Sequence, residues 1–425
     1  MTELFRPSDA PVETLVVVGT GHAASALVAS LNQHRYQGRV VLVGDEKHPP
    51  YNRPPLSKKF LSEDVQPQEL YFRSEDQLAK NGVEVRLGVA AVELNPLAHT
   101  LKLGSGDVLS YDKLVLATGA GPRGLPRSVD ETEGNLNVLR NIADAVRLKA
   151  ELGRAQSIAI IGAGYVGLEV AASSALLGKR VTVIEAAPRV LARVAGPELA
   201  GIVQAAHEAH GVSFRLESMV TRVAQAASGI DVFLADGERV NAGVVLCAIG
   251  AVPNVALAEG AGLAVNRGIV TDTRCATSDE RIFAIGDCAT FPRDGDLVQL
   301  ESVQNASDQA DVVARQLCGL EAEYAPVPWF WSDQYDLRLQ SVGFRKGSDG
   351  SLLRSKENSH AIWHHRDGRV VALDTINASR DHMMARKLMA RGELHLNSLH
   401  EVEFDLSRLW APSGQRLNAS ERVAP

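Results

Sequence analysis

Two carboxylates stand where a nucleotide could use them. Glu185 closes the apolar run Val181-Thr182-Val183-Ile184, and Asp45 follows the run Arg39–Val43. Each acid trails a glycine turn. Glu185 lies eighteen residues after the last glycine of Gly162-Ala163-Gly164-Tyr165-Val166-Gly167. Asp45 lies twenty-one residues after Ala24, the last residue of Gly19-Thr20-Gly21-His22-Ala23-Ala24. The chemistry such a pattern supports is dinucleotide binding. A glycine backbone can approach a pyrophosphate closely, and a carboxylate at this distance can accept hydrogen bonds from a ribose 2′-OH. A carboxylate would also repel a 2′-phosphate, so the Glu185 site should prefer NAD(H) to NADP(H).

The elements that must position these residues are readable around them. Ser157–Ile161 is an apolar strand, a helical pattern runs from Leu168 to Leu177, and Gly178 stops it. Gly162 permits the tight turn, Gly164 the close backbone approach, and Gly167 the packing of helix on strand. The helix N-terminus offers N–H groups and partial positive charge to phosphate. The earlier copy has the strand Thr14–Val18, a helix to about Gln33 and a strand at Arg39–Val43. Equivalent glycines of the two copies are 143 residues apart. Two such units in one chain imply two dinucleotides meeting face to face, with FAD and NAD(H) the obvious pair. His22 reads as a loop residue near the pyrophosphate rather than a catalyst.

Composition narrows the setting. A chain of 425 residues accommodates two to four domains, and 45% apolar residues suffice for ordinary cores. The net charge of −7 argues against nucleic-acid or membrane-surface binding. No apolar run approaches the length of about eighteen residues that a membrane span needs. Met1–Glu13 is polar, with two prolines and neither a basic nor an apolar signal segment. It reads as a frayed leader, and the protein as cytoplasmic. The four cysteines, Cys247, Cys275, Cys288 and Cys318, are widely spaced without CxxC. They read as scattered buried thiols, so no metal or iron–sulfur site is expected.

Elsewhere, Arg53-Pro54-Pro55-Leu56-Ser57-Lys58 reads as a loop that could open a short helix, and Tyr71–Arg73 and Val83–Leu87 as strands. Lys102–Tyr111 has a hairpin pattern. Lys113–Ala117 is a buried strand ending in Thr118-Gly119, followed by a crossover at Gly121–Pro126. Asn137–Leu152 carries helical spacing, and Arg189–His210 reads as largely helical. His207 and His210 sit i, i+3 there, lack a third ligand, and read as exposed residues of the last turns. Val212–Leu216 and Ile230–Leu234 are expected in one antiparallel ribbon. Val244–Ile249 closes on a Gly/Pro turn, and Arg281–Asp287 ends in Gly-Asp at a strand's C-terminal end, where open α/β sheets bind ligands. Helical spacing spans about Gln304–Leu317. The last hundred residues, with Trp329-Phe330-Trp331 and several short strand patterns, read as a separate α+β domain carrying a helix at Arg380–Ala390.

Taken in order, these landmarks resemble the FAD-dependent pyridine-nucleotide reductases. More narrowly they resemble the oxygenase-coupled NADH-dependent ferredoxin reductases of the putidaredoxin reductase and rhodocoxin reductase kind. The likeness runs from Val12 to about Leu388. It rests on Gly19-Thr20-Gly21, Gly44-Asp45-Glu46, Arg53–Lys58, Leu116–Gly119, Gly162–Glu169, Ala284–Ala289, Glu301–Ala306 and Trp329–Tyr335. The last is the most specific.

The resemblance implies a glutathione-reductase-like α/β fold with two Rossmann-like domains and an α+β C-terminal domain. FAD would be bound by 1–113 and 243–325, NADH by 114–242, and 326–425 would form the C-terminal domain. It implies FAD contacts at Gly19, Gly21, Ala23, Asp45, Lys58, Ala91, Arg140, Asp287 and Val303. NADH contacts are implied at Gly162, Gly164, Gly167, Glu185 and Gly250. Lys58 and Glu169 are expected to pair beside the hydride acceptor. Trp331, with Trp329 the alternative, would lie close to the flavin near the ferredoxin-docking face. Arg73 fits the basic rim of relatives that dock acidic ferredoxins, whereas Asp311 stands where some of them carry a basic residue. The expected partner is a [2Fe–2S] ferredoxin serving a cytochrome P450 or Rieske oxygenase, with the reductase a monomer or weak dimer. Competing readings are a flavoprotein NADH oxidase and a redox-sensing interaction protein like apoptosis-inducing factor. Arg53–Phe60 lacks the redox-active cysteine pair of related disulfide reductases, so electrons cannot leave through an enzyme disulfide.

Overall fold

The computed structural model describes residues 12–132, 134–392 and 394–410. The expected leader lies outside these residues except for Val12 and Glu13. The chain forms two compact units, residues 1–125, 137–153 and 247–326 in the first and 126–136, 154–246 and 327–425 in the second.

The first unit is built on a five-stranded parallel sheet in the order Ile282–Ala284, Lys113–Leu116, Thr14–Val18, Arg39–Gly44, Val83–Leu87. Its strands are continuous apolar runs because both faces are covered. Leu15, Val17, Leu42 and Val115 pack with Leu27 and Val28 of the helix His22–Gln33 and Val313 of the helix Val303–Leu317. Val16, Val18, Val41 and Leu114 point the other way, onto Leu94 and Leu101 of a three-stranded antiparallel sheet. That small sheet contains the expected hairpin, Thr100–Leu103 with Val108–Ser110. Tyr71–Arg73 is not a strand; Tyr71 makes a single bridge to Tyr51, and the chain then bends away. Ala120–Pro122 pairs antiparallel with Ala251–Pro253.

The second unit holds the other glycine turn. Ser157–Ile161 pairs in parallel with Arg180–Ile184, which pairs in parallel with Ser213–Arg215; Val244–Cys247 takes the far edge. The expected ribbon is therefore corrected. Ser213–Arg215 is an edge strand of the parallel sheet, whereas Ile230–Leu234 pairs antiparallel with Val220–Gln225 and Arg239–Ala242 in a separate sheet. Arg189–His210 is also shorter than expected. Its helix is Pro197–Ala209, with Gly196 at the N-cap and the proline at the first helical position, where its missing N–H costs nothing. A five-stranded antiparallel sheet follows, in the order Trp329–Gln334, Leu337–Gly343, Arg369–Ile376, Ser359–Arg366, Gly350–Lys356. Val342, Trp363 and Leu373 bury against Ala385 and Leu388 of the helix Ser379–Ala390. The fold is thus α/β with two Rossmann-like sheets and an α+β C-terminal region.

Candidate functional site

In the first unit, glycine turns and charged side chains gather at the C-terminal ends of the parallel strands. Gly19 follows Val18 with φ +117°, and a Cβ there would lie 2.1 Å from the Ala117 carbonyl oxygen, so only glycine fits. Gly21 is the N-cap of the helix His22–Gln33 and has no side-chain cap. The first-turn N–H groups are therefore left for an anion. Ala23 packs against the Gly286 backbone, where a Cβ would come within 3.2 Å of its methyl. His22 Nδ1 is buried without a partner. Burial pushes the His22 pKa down, against the raising effect of Asp287.

Asp287 sits in a short 3₁₀ turn just after Ile282–Ala284 and pairs with Arg140 at 3.2 Å. Gln309 accepts the Gly286 N–H at 2.7 Å and ties that turn to the helix begun by Val303. Ala91 starts the strand Ala91–Asn95, and the preceding Val89 N–H donates to the Gly44 carbonyl at 3.0 Å. Ala91 is thereby held by the same strand end as Asp45. Asp45 itself is exposed. Its neighbour Glu46 turns inward to Arg53 at 2.5 Å and accepts from Tyr51 Oη at 2.6 Å. Arg53 also donates to the Arg140 carbonyl at 2.9 Å. Arg53 and Glu46 were missed by sequence reasoning, because a basic residue before Pro-Pro reads as solvated loop. The available signal was the acid–aromatic–base spacing Glu46, Tyr51, Arg53. Lys58 is half-buried between two short helical turns, and its ammonium donates to the Pro54 carbonyl at 3.2 Å. Gly250 has φ +116° and accepts from Arg123 N–H at 2.9 Å.

In the second unit, Gly162 repeats the Gly19 conformation with φ +105° and donates to the Ile184 carbonyl at 2.8 Å. Gly164 is the N-cap of the helix Tyr165–Leu176, again without a side-chain cap. A Cβ on Gly167 would lie 2.2 Å from the Gly162 carbonyl oxygen, which is the close helix–strand approach expected of it. Glu185 accepts the Ala163 N–H at 2.8 Å and the Ala187 N–H at 2.9 Å. The acid thus also braces the glycine turn.

The strand Trp329–Gln334 divides its residues between two faces, as period-2 alternation requires. Phe330 lies 4.5 Å from Tyr165, and Ser332 donates to Glu169 at 2.6 Å. On the other face Trp329 and Trp331 lie 5.6 Å apart, with Arg386 5.0 Å from the Trp329 ring. Trp329 packs on the C-terminal core, whereas Trp331 does not.

His207 corrects an expectation. It is 0% exposed, not a surface residue, and hydrogen-bonds Gln334 at 2.8 Å. Asp311 is bonded by His34 at 3.0 Å and Arg315 at 2.8 Å. Burial alone would raise its pKa, but these bonds hold its carboxyl below the usual range. Among the described residues no group of three or more His, Cys, Asp or Glu could hold a metal ion, and no helix is long and apolar enough to cross a membrane. Burial pushes the Cys275 and Cys288 thiols up, away from the reactive thiolate.

The two glycine turns, each with a bare helix N-terminus and an acid at the end of the next strand, fit two dinucleotides. The family model for pyridine nucleotide-disulphide oxidoreductase matches residues 13–310, and the reductase C-terminal model matches 329–410. The chain belongs to the pyridine nucleotide-disulphide oxidoreductase family. Within it, the chain is 39% identical to rhodocoxin reductase from Rhodococcus erythropolis, over 92% of this chain and 93% of the relative. It is similar to the crystal structure of the ferredoxin reductase for the CYP199A2 system from Rhodopseudomonas palustris. That match has TM-score 0.90 and 36% identity, covering 94% and 100% of the two chains. The covalent putidaredoxin reductase–putidaredoxin complex contains a chain with TM-score 0.89 and 33% identity, with 93% and 98% covered. The fold class expected from the sequence, FAD and NADH as the cofactors, and the resemblance to oxygenase-coupled ferredoxin reductases all agree with these family members.

Proposed function

We propose that this chain is an NADH-dependent ferredoxin reductase whose [2Fe–2S] ferredoxin feeds a cytochrome P450 or a Rieske oxygenase. What carries the reading is the match over 92–94% of the chain, C-terminal domain included, to reductases named for ferredoxin partners or their systems. FAD, when bound, would supply a site that takes one hydride, with its two electrons, from NADH and gives the electrons up one at a time. The chain supplies binding, orientation and charge.

Gly19, Gly21 and Ala23 offer backbone and space to the FAD pyrophosphate, and Arg140 offers a cation to it. Asp287 offers carboxylate oxygens to the ribityl hydroxyls. Asp45, Ala91 and Val303 complete the proposed FAD set. Gly162, Gly164, Gly167 and Gly250 would line the NADH site, with Glu185 accepting from its ribose. Lys58 and Glu169 are the proposed charged pair at the hydride junction, and Trp331 the proposed aromatic nearest the ferredoxin. We keep residues 1–113 with 243–325 as the FAD domain, 114–242 as the NADH domain and 326–425 as the C-terminal domain. A cytoplasmic monomer or weak dimer completes the proposal.

The test is anaerobic stopped-flow. Protein reduced by NADH is mixed with a panel of [2Fe–2S] ferredoxins, with a rubredoxin as a single-iron control. The expected result is reduction of at least one ferredoxin at a rate that supports turnover. Failure with every ferredoxin, together with rapid NADH consumption by oxygen alone, would overturn the proposal.

A further inference from the structure

The stretch Trp329–Tyr335 contains more polar order than its tryptophans explain. Glu169, on the helix Tyr165–Leu176, is 6% exposed, and Ser332 and Gln334 are 0% and 1% exposed. His207, near the end of the helix Pro197–Ala209, is fully buried. These four side chains and Tyr335 form one unbroken line. Tyr335 Oη lies 3.1 Å from His207 Nδ1, and His207 Nε2 lies 2.8 Å from Gln334 Oε1. Gln334 Nε2 lies 3.0 Å from Ser332 Oγ, which lies 2.6 Å from Glu169 Oε1.

The direction of the line follows from its end. Ser332 Oγ donates its hydrogen to Glu169 Oε1. Ser332 Oγ then accepts from the Gln334 amide N–H. The Gln334 carbonyl faces His207 Nε2, which must therefore carry the proton. His207 Nδ1 is left as an acceptor for the Tyr335 hydroxyl. Every internal link donates once and accepts once. The surroundings of its far end agree with this direction. Burial pushes the His207 pKa down, favouring the neutral ring, and raises Tyr335 to about 12, keeping its hydroxyl protonated. Tyr335 also occupies the left-handed region at φ +54°, unusual for a bulky residue, and is held there by stacking on His210 at 3.7 Å.

We propose that Ser332, Gln334 and His207 are positioning residues for Glu169, a buried one-way hydrogen-bond line that holds its carboxyl group in one orientation. The proposal rests on the reading of Glu169 as a member of the hydride junction. An amide in the middle makes the line an orienting device rather than a proton conductor, because an amide cannot readily pass a proton on. Tyr165, one turn before Glu169, lies in the field of Glu169, Asp374 and Arg345, and His210 flanks His207; these are among the titratable or charged groups near the line.

The first test is nuclear magnetic resonance of the FAD-loaded protein labelled with [¹⁵N]histidine, assigned with His207→Gln. The expected result is a neutral Nε2–H imidazole for His207 at pH 7, titrating below the ordinary histidine range. A proton on Nδ1, or a charged ring at pH 7, overturns the proposal. The second test follows the Glu169 carboxyl stretching band by difference infrared spectroscopy at fixed pH, assigned with Glu169→Gln. Ser332→Ala should shift that band, because the Glu169 oxygen loses its hydroxyl donor, and Ser332→Thr should restore it. An unchanged band in a folded Ser332→Ala protein overturns the proposal. If the band moves while NADH-driven flavin reduction keeps its rate and pH profile, the positioning line stands and the placement of Glu169 at the hydride junction falls.

Discussion

Glu185→Ala should change which nicotinamide nucleotide the protein uses. Glu185 receives the Ala163 and Ala187 N–H groups at 2.8 and 2.9 Å, so its removal leaves the glycine turn without its brace. It also removes the acceptor proposed for the ribose 2′-OH. A hydrogen bond to a charged group contributes about 1.5–3 kcal/mol. Losing the ribose bond alone should weaken NADH binding roughly 10- to 100-fold. NADPH loses a like-charge clash instead, so its kcat/KM relative to NADH should rise by at least about tenfold. Glu185→Gln separates the two roles. It keeps a carbonyl oxygen for the Ala163 N–H but drops the charge, so NADH use should fall less while discrimination still relaxes. The assay is steady-state reduction of ferricyanide with each nucleotide, read as the ratio of the two kcat/KM values. An unchanged ratio in both variants would refute the reasoning and remove Glu185 from the nucleotide site.

Further outcomes follow from other parts of the structure. Lys58→Met should slow hydride transfer in stopped-flow and lower the flavin midpoint potential, since a cation near the ring favours its reduced form; unchanged values in both would discard the role. Gly167→Ala places a methyl against the Gly162 carbonyl, so the helix must shift. A misplacement on the order of 1 Å can cost about 100-fold in rate, so NADH turnover should collapse while bound FAD content stays normal. Burial pushes His207, His22 and His382 below their ordinary pKa. Below about pH 6.5 the unfolded chain takes up protons that these buried rings do not, so stability should fall as pH drops from 7 towards 5. Thermal unfolding of His207→Gln should show a flatter acid slope, by up to one proton; an identical slope would contradict the burial argument.

The glycine turns were legible in the sequence because their signal is local. Positive φ at Gly19 and Gly162, the close approach at Gly167 and the acid at Glu185 all follow from residue type and spacing. Strand partners were harder. Val212–Leu216 and Ile230–Leu234 look alike as short strand patterns that mix apolar and polar residues, and nothing in such a pattern names the strand beside it. The helix start at Pro197 was hidden because residues 189–196 continue the helical spacing without helical backbone; Leu191 has φ +52°. His207 read as exposed because two histidines close a helix end, yet its cover, Gln334, comes from 127 residues away. Ser332 and Gln334 went unread for a related reason. Beside two tryptophans they look like ordinary polar alternation, and only their partners on other helices give them meaning.

The most direct test of the central claim is cytochrome c reduction by NADH, measured with and without a [2Fe–2S] ferredoxin at equal reductase concentration. A ferredoxin reductase should reduce cytochrome c rapidly only when the ferredoxin is present, with NADH favoured over NADPH. Equal rates with and without every ferredoxin tried, or NADH oxidation by oxygen that a ferredoxin does not divert, would contradict it.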